Sequence, residues 1–190
     1  MINILIIGKI NSMDTQKLIM DKISSVLAAT DRNQTAELKK HIDGAGRIFI
    51  AGAGRSKLVS SFLAMRLVHC GYQVSVVGEI VTPALHEGDL YIVISGSGGT
   101  KTLLPTLETA KSKGAKIAVV SMKSSSAMAE LADITVAMGN EEVFATTKGL
   151  PMGTSFELST LVFLEALIGE IVFDKDLTEE GMRGVHANLE

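Results

Sequence analysis

Five short runs rich in valine and isoleucine recur along the chain: RIFIAGAG, QVSVVGE, DLYIVIS, AKIAVVS and DITVAMG. Segments of helical period separate most of them. This alternation constrains the fold more than any other feature. Each run is apolar nearly throughout, so each reads as a strand covered on both faces. Strands alternating with helices predict an α/β fold: a doubly wound five-stranded parallel sheet flanked by helices. The link from QVSVVGE to DLYIVIS is IVTPALHEG, about one turn of structure and too short for a full crossover helix.

The helical segments follow from spacing. Leu18, Ile19, Ile23, Val26 and Leu27 predict a helix over 14–30, with Asp14 as N-cap. A second covers about 32–43. Leu58, Val59, Phe62, Leu63, Arg66 and Leu67 mark a third, stopped by Gly71. KTLLPTLETAKSKG reads as a helix closing on Gly114, and SAMAELA as a short one. After Gly139, the polar NEEVFATTKGLP reads as a loop, a candidate lid or specificity segment. Residues 154–173 form a helix apolar nearly all round, which seeks burial on every side and points to self-association. Thr178 opens a last short helix.

Composition narrows the function. Of 190 residues, 46% are hydrophobic and 21% charged, a folded composition that disfavours disorder. Net charge is −3, tryptophan is absent and aromatics are 4%, which argues against nucleic-acid or anionic-membrane partners. The single cysteine, Cys70, excludes an internal disulfide and reads as a small core residue. The N-terminal MINILIIGKIN is too short to span a membrane and lacks the basic leader of a signal peptide. A cytoplasmic protein is expected. Met13 offers an alternative start, so residues 1–12 read as a possible extension and 13–190 as one domain.

Two glycine-rich turns stand where chemistry is expected. GAGRS follows the first strand and SGSGGT the third. In an open parallel sheet, ligands sit beyond the carboxyl ends of the strands, where strand order reverses. Glycines let backbone approach a ligand, and amides at a helix start favour an anion. Ser95, Gly96, Ser97 and Thr100 therefore read as a phosphate site, Thr102 adding a further hydroxyl. The alternative is a tight turn with helix-capping serines. GAGRS lacks the third glycine of a dinucleotide fingerprint, Lys57 standing in its place, and no acidic residue precedes Glu79 at the required distance. No Walker pattern occurs. Neither NAD nor a nucleoside triphosphate is expected.

The segments AGAGRS, AMRL, VVGE, TP, GDL, SGSG, LAD, PMGT, FE and HANLE resemble the sugar isomerase (SIS) domain family, over about residues 14–190. Within it, PMGT, FE and HANLE resemble the branch acting on hexulose phosphates. The resemblance implies a flavodoxin-like strand order. It implies interconversion of D-arabino-3-hexulose 6-phosphate and fructose 6-phosphate in the ribulose monophosphate pathway, without cofactor or metal, in a homotetramer. Such a reaction passes through an enediol and needs a base and a group steadying the oxyanion. Glu157 is the candidate base. Its spacing from Thr154 also fits a capping box, where it would only satisfy a backbone amide. His186 is the candidate acid, base or ring-opening group, and a terminal helix could carry it into a neighbouring subunit's cleft. Arg55 and Ser56 are expected to line the substrate cleft, Arg55 pairing with phosphate or a sugar oxygen unless a surface ion pair takes it. Glu79 ranks below them. Two positions depart from the family pattern: Lys57 replaces a glycine and Gly99 a glutamate. The competing readings are another sugar-phosphate isomerase, such as one for arabinose 5-phosphate, and a non-catalytic sugar-phosphate sensor. The first often carries regulatory domains and the second a basic helix-turn-helix; neither feature is seen in this sequence.

Overall fold

The computed structural model describes residues 12–140 and 142–189. Residues 1–11 of the possible extension lie outside them. Helices α1 (Ser12–Ala28) and α2 (Arg32–Gly44) precede strand β1 (Ile48–Gly52). Then follow α3 (Arg55–His69), β2 (Val74–Val76), β3 (Leu90–Ile94), α4 (Leu104–Ser112), β4 (Lys116–Ser121) and β5 (Ile134–Ala137). Two helices close the order, α5 (Thr154–Asp174) and α6 (Glu179–Gly184).

All five strands are parallel, in the order β2-β1-β3-β4-β5. The chain leaves β1 for β2 on one side and returns to β3 on the other. The order therefore reverses between β1 and β3, and the turns after these two strands face a common crevice. Both glycine-rich turns lie there.

Strand periodicity sorts the core into two layers. Ile48, Ile50, Ile92, Ile94, Val120 and Val136 point to the face covered by α1, α2, α3 and α5. Phe49, Ala51, Tyr91, Val93, Ile117 and Val119 point to the face covered by α4. Because neighbouring residues on one strand serve opposite layers, every strand must be apolar throughout, which is the pattern seen in the sequence. Each fully buried large side chain, such as Leu63, Leu107 or Ile171, stabilises the fold by about 1.5–3 kcal/mol. Cys70 is buried in the first layer, and burial pushes its thiol up from the usual value.

Two expectations need correction. SAMAELA is not a helix; residues 124–132 form turns. Their amides are diverted, with Met128 N–H donating to Gly98 O and Ala129 N–H to Ser126 Oγ. The helix expected from Lys101 begins at Leu104, because Thr100–Leu103 close a turn first. Within the chain α5 packs on α3 and α1 and leaves Val162 and Phe173 exposed, as an expectation of further burial against another copy requires. Among the described residues, no helix is long and apolar enough to cross a membrane.

Candidate active site

The crevice is built from three chain segments that meet at the carboxyl edge of the sheet. The first is the β1–α3 turn. Gly52 must be glycine there, since a Cβ would stand 2.7 Å from Ser56 O. Gly54 has φ 56°, the left-handed region that favours glycine. This tight turn launches α3 with Arg55 as its first residue and Ser56, half-buried, as its second.

The second segment is the turn after β3. Ser95 is buried and its hydroxyl lies 3.0 Å from that of Thr100. Gly98 N–H donates to Ser95 O, and Gly99 N–H to Ser97 Oγ at 3.3 Å. Gly98 has φ 62°, and a Cβ on it would stand 2.2 Å from Ser126 Oγ. Gly96 O accepts from Met122 N–H and from Ser121 Oγ. The turn is thus clamped by the residues that follow β4. Ser121 and Ser126 escaped the sequence reading, although their place at the end of β4 and just beyond it was a usable signal.

The third segment is the start of α5. Gly153, at φ 87°, is the N-cap, and Glu157 is the fourth residue of the helix. A capping box needs the glutamate one position earlier. Glu157 therefore caps nothing: its backbone N–H donates to Gly153 O, and its carboxylate turns toward α3. There Arg55 Nε donates to Glu157 Oε2 at 2.5 Å. The Glu157 side chain is only 13% exposed, whereas that of Arg55 is 64% exposed. The bond is charge-assisted and holds the carboxylate in one orientation at the crevice wall. A rim pair joins Lys57 Nζ to Glu79 Oε1 at 3.8 Å, tying α3 to the segment after β2. Lys57 thereby has a carboxylate partner that offsets its unfavourable place at a helix start.

The structure gathers Arg55, Ser56, Ser95, Gly96, Ser97, Thr100 and Glu157 at one edge. It does not bring His186 there. The His186 ring stacks on that of His69, centroids 5.0 Å apart. His69 is the last residue of α3 and Arg55 the first, so the two ends stand about 20 Å apart along the helix axis. Among the described residues, no three of His, Cys, Asp and Glu converge in a way that could hold a metal ion.

A flavodoxin-like sheet with a hydroxyl-lined glycine turn and a fixed carboxylate at its reversal point defines a sugar-phosphate isomerase type of domain. The SIS domain family model matches residues 41–168, and the chain belongs to that family. A curated 3-hexulose-6-phosphate isomerase of Methylomonas aminofaciens is 58% identical over 177 residues, spanning 92% of this chain and 98% of that protein. A protein of the same name from Bacillus subtilis is 38% identical, over 90% of this chain and 95% of its own. A crystal structure from Methanococcus jannaschii, whose description infers a molecular function of 3-hexulose-6-phosphate isomerase, superposes with a TM-score of 0.83 at 34% identity. It covers 92% of this chain and 98% of that one.

Proposed function

We infer that this chain is a 3-hexulose-6-phosphate isomerase, interconverting D-arabino-3-hexulose 6-phosphate and fructose 6-phosphate in the ribulose monophosphate pathway. The observation that carries the mechanism is the Glu157 carboxylate, held by Arg55 beside the 95–100 turn. The curated relatives support the substrate. The 95–100 turn takes the phosphate through its hydroxyls and amides. Glu157 removes the C2 proton of the open-chain 3-ketose, and the C3 carbonyl oxygen gains a proton to give a 2,3-enediol. Loss of the O2 proton and protonation at C3 leave the 2-ketose. Arg55 steadies the oxyanion as it develops. Every step is a proton transfer, so the route itself calls on no metal or redox cofactor. Glu157 works from the sheet edge of its own chain, in a cytoplasmic enzyme of sugar-phosphate metabolism.

In this reading His186 acts in trans. The exposed face of α3 between its ends carries Leu58, Ser61, Phe62, Met65 and Val68, and the partly exposed Lys57 and Arg66 beside it are paired with Glu79 and Glu165. Two copies packed along this stripe in antiparallel fashion bring the site of each to the far end of its partner's α3. His186 of the partner subunit then stands near Arg55 and Glu157. The assembly is a homo-oligomer, a tetramer by family resemblance.

The test is solvent exchange. Incubation with fructose 6-phosphate in D₂O, followed by NMR, gives exchange at C3, because the enediol spans C2 and C3. Exchange at C1 alone identifies an aldose–ketose isomerase instead. Binding without exchange identifies a sensor and overturns the enzymatic reading.

A further inference from the structure

We propose that Phe156 is a positioning residue for this reaction: its ring, pressed against Gly96, sets how far the Glu157 carboxylate stands from the phosphate-binding turn. The inference rests on the reading of Glu157 as base and of the 95–100 turn as phosphate site.

Phe156 is buried, 3% exposed, and directly precedes Glu157 in the first turn of α5. A Cβ built on Gly96 would lie 3.0 Å from Phe156 Cδ1 and 3.3 Å from its Cε1, with Met122 Cε also at 3.3 Å. The ring therefore rests on the bare Cα of Gly96, where no methyl fits unless something moves. Gly96 cannot simply recede, because its carbonyl accepts from Met122 N–H at 3.1 Å and from Ser121 Oγ at 3.2 Å. The ring is backed as well. Phe144, from the segment after β5, meets it edge-on, centroids 6.4 Å apart and planes at 61°. Phe156 is thus a rigid spacer between two fixed parts, the β3 turn and the α5 start.

Geometry makes that spacing matter. A sugar phosphate held at its phosphate end must present C2 to the base at about 3–3.5 Å, and a displacement of about 1 Å can cost about 100-fold in rate. Arg55 fixes the direction of the carboxylate, and the Phe156–Gly96 contact fixes its distance. A phenylalanine that only filled the core would affect stability and leave turnover in the folded protein unchanged.

Phe156→Leu, Gly96→Ala and the double variant test this, each assayed well below its melting temperature with 3-hexulose 6-phosphate. Each single change lowers kcat by about 10–100-fold, and in Phe156→Leu, which leaves the phosphate-binding turn itself intact, KM stays within about 3-fold because only distance is altered. The double variant exceeds both singles in kcat by about tenfold, since the methyl added at position 96 occupies space vacated by the ring and restores the contact. Unchanged kcat in folded Phe156→Leu, or losses that simply multiply in the double variant, would overturn the proposal. A wild-type chain without isomerase activity removes the functional reading, and this inference with it. An active wild type with an unaffected Phe156→Leu removes this inference alone.

Discussion

The ion pair between Arg55 and Glu157 joins residues 102 positions apart, and no local pattern could have shown it. Both residues stand out in the sequence as functional candidates, yet Arg55 is expected against the substrate and Glu157 stays divided between base and helix cap. Thr-Ser-Phe-Glu does satisfy the spacing of a capping box. What decides the matter is one residue earlier, where Gly153 takes a left-handed conformation and shifts the helix start. Glu157→Gln keeps the shape and the Arg55 contact but removes the basic oxygen. It is expected to lower kcat by about 1,000-fold or more, with fructose 6-phosphate still bound and the melting temperature little changed. Near-normal turnover in that variant, measured by the exchange assay, would move the base elsewhere. The glycine-rich turn after β3 was the more legible part, because its glycines and hydroxyls are contiguous in sequence.

At the scale of elements, the five strands were readable because burial on both faces writes a continuous apolar run. Their ends were not. QVSVVGE shortens to Val74–Val76, because Gly78 turns at φ 97° and Thr82 bonds back to Val76 O and Glu79 O. SAMAELA has helix-forming composition but spends its amides on Gly98 and Ser126. One strand junction carries a pH-dependent contribution. Burial pushes the Asp133 carboxyl up, but the Lys116 ammonium and the Ile117 N–H, both bonded to it, outweigh that and hold it below the usual carboxylate value. A carboxyl whose value is depressed on folding stabilises above its unfolded value, about 3.9, and loses that contribution as pH falls through the lower folded one. Urea midpoints of wild type and Asp133→Asn are therefore expected to differ clearly at pH 6, with the gap narrowing as pH falls below the unfolded carboxylate value of about 3.9. A gap that stays constant or widens in acid would show that the Asp133 charge does not contribute this stability.

For the whole molecule, the two candidate catalytic groups lie at opposite ends of α3, and the proposed contact between copies runs along the mostly apolar stripe between them. The apolar α5 pointed to self-association, whereas the outer face of α3 drew no such reading, because α3 carries buried apolar residues on its inner face and exposed ones on its outer face. Phe62→Glu is expected to yield smaller species in analytical ultracentrifugation and to lose most activity while each chain stays folded. A sharper check mixes two inactive variants, Glu157→Gln and His186→Asn, after mild dissociation and reassembly. With a two-fold contact, half of the pairs are mixed and one site in each is intact, so about a quarter of wild-type activity returns. No recovery on mixing would place both groups in one chain.

If α3 spans the interval between one copy's carboxylate and its partner's imidazole, the helix works as a ruler. Its length is then under a constraint that packing alone would not impose. One inserted residue advances the far end by about 1.5 Å and rotates it by about 100°. That would swing His69 off the His186 ring and turn Met65 and Val68 away from the seam. Single-residue insertions and deletions in α3 should be tolerated far less than in the 142–151 segment, even where the inner face could repack around them.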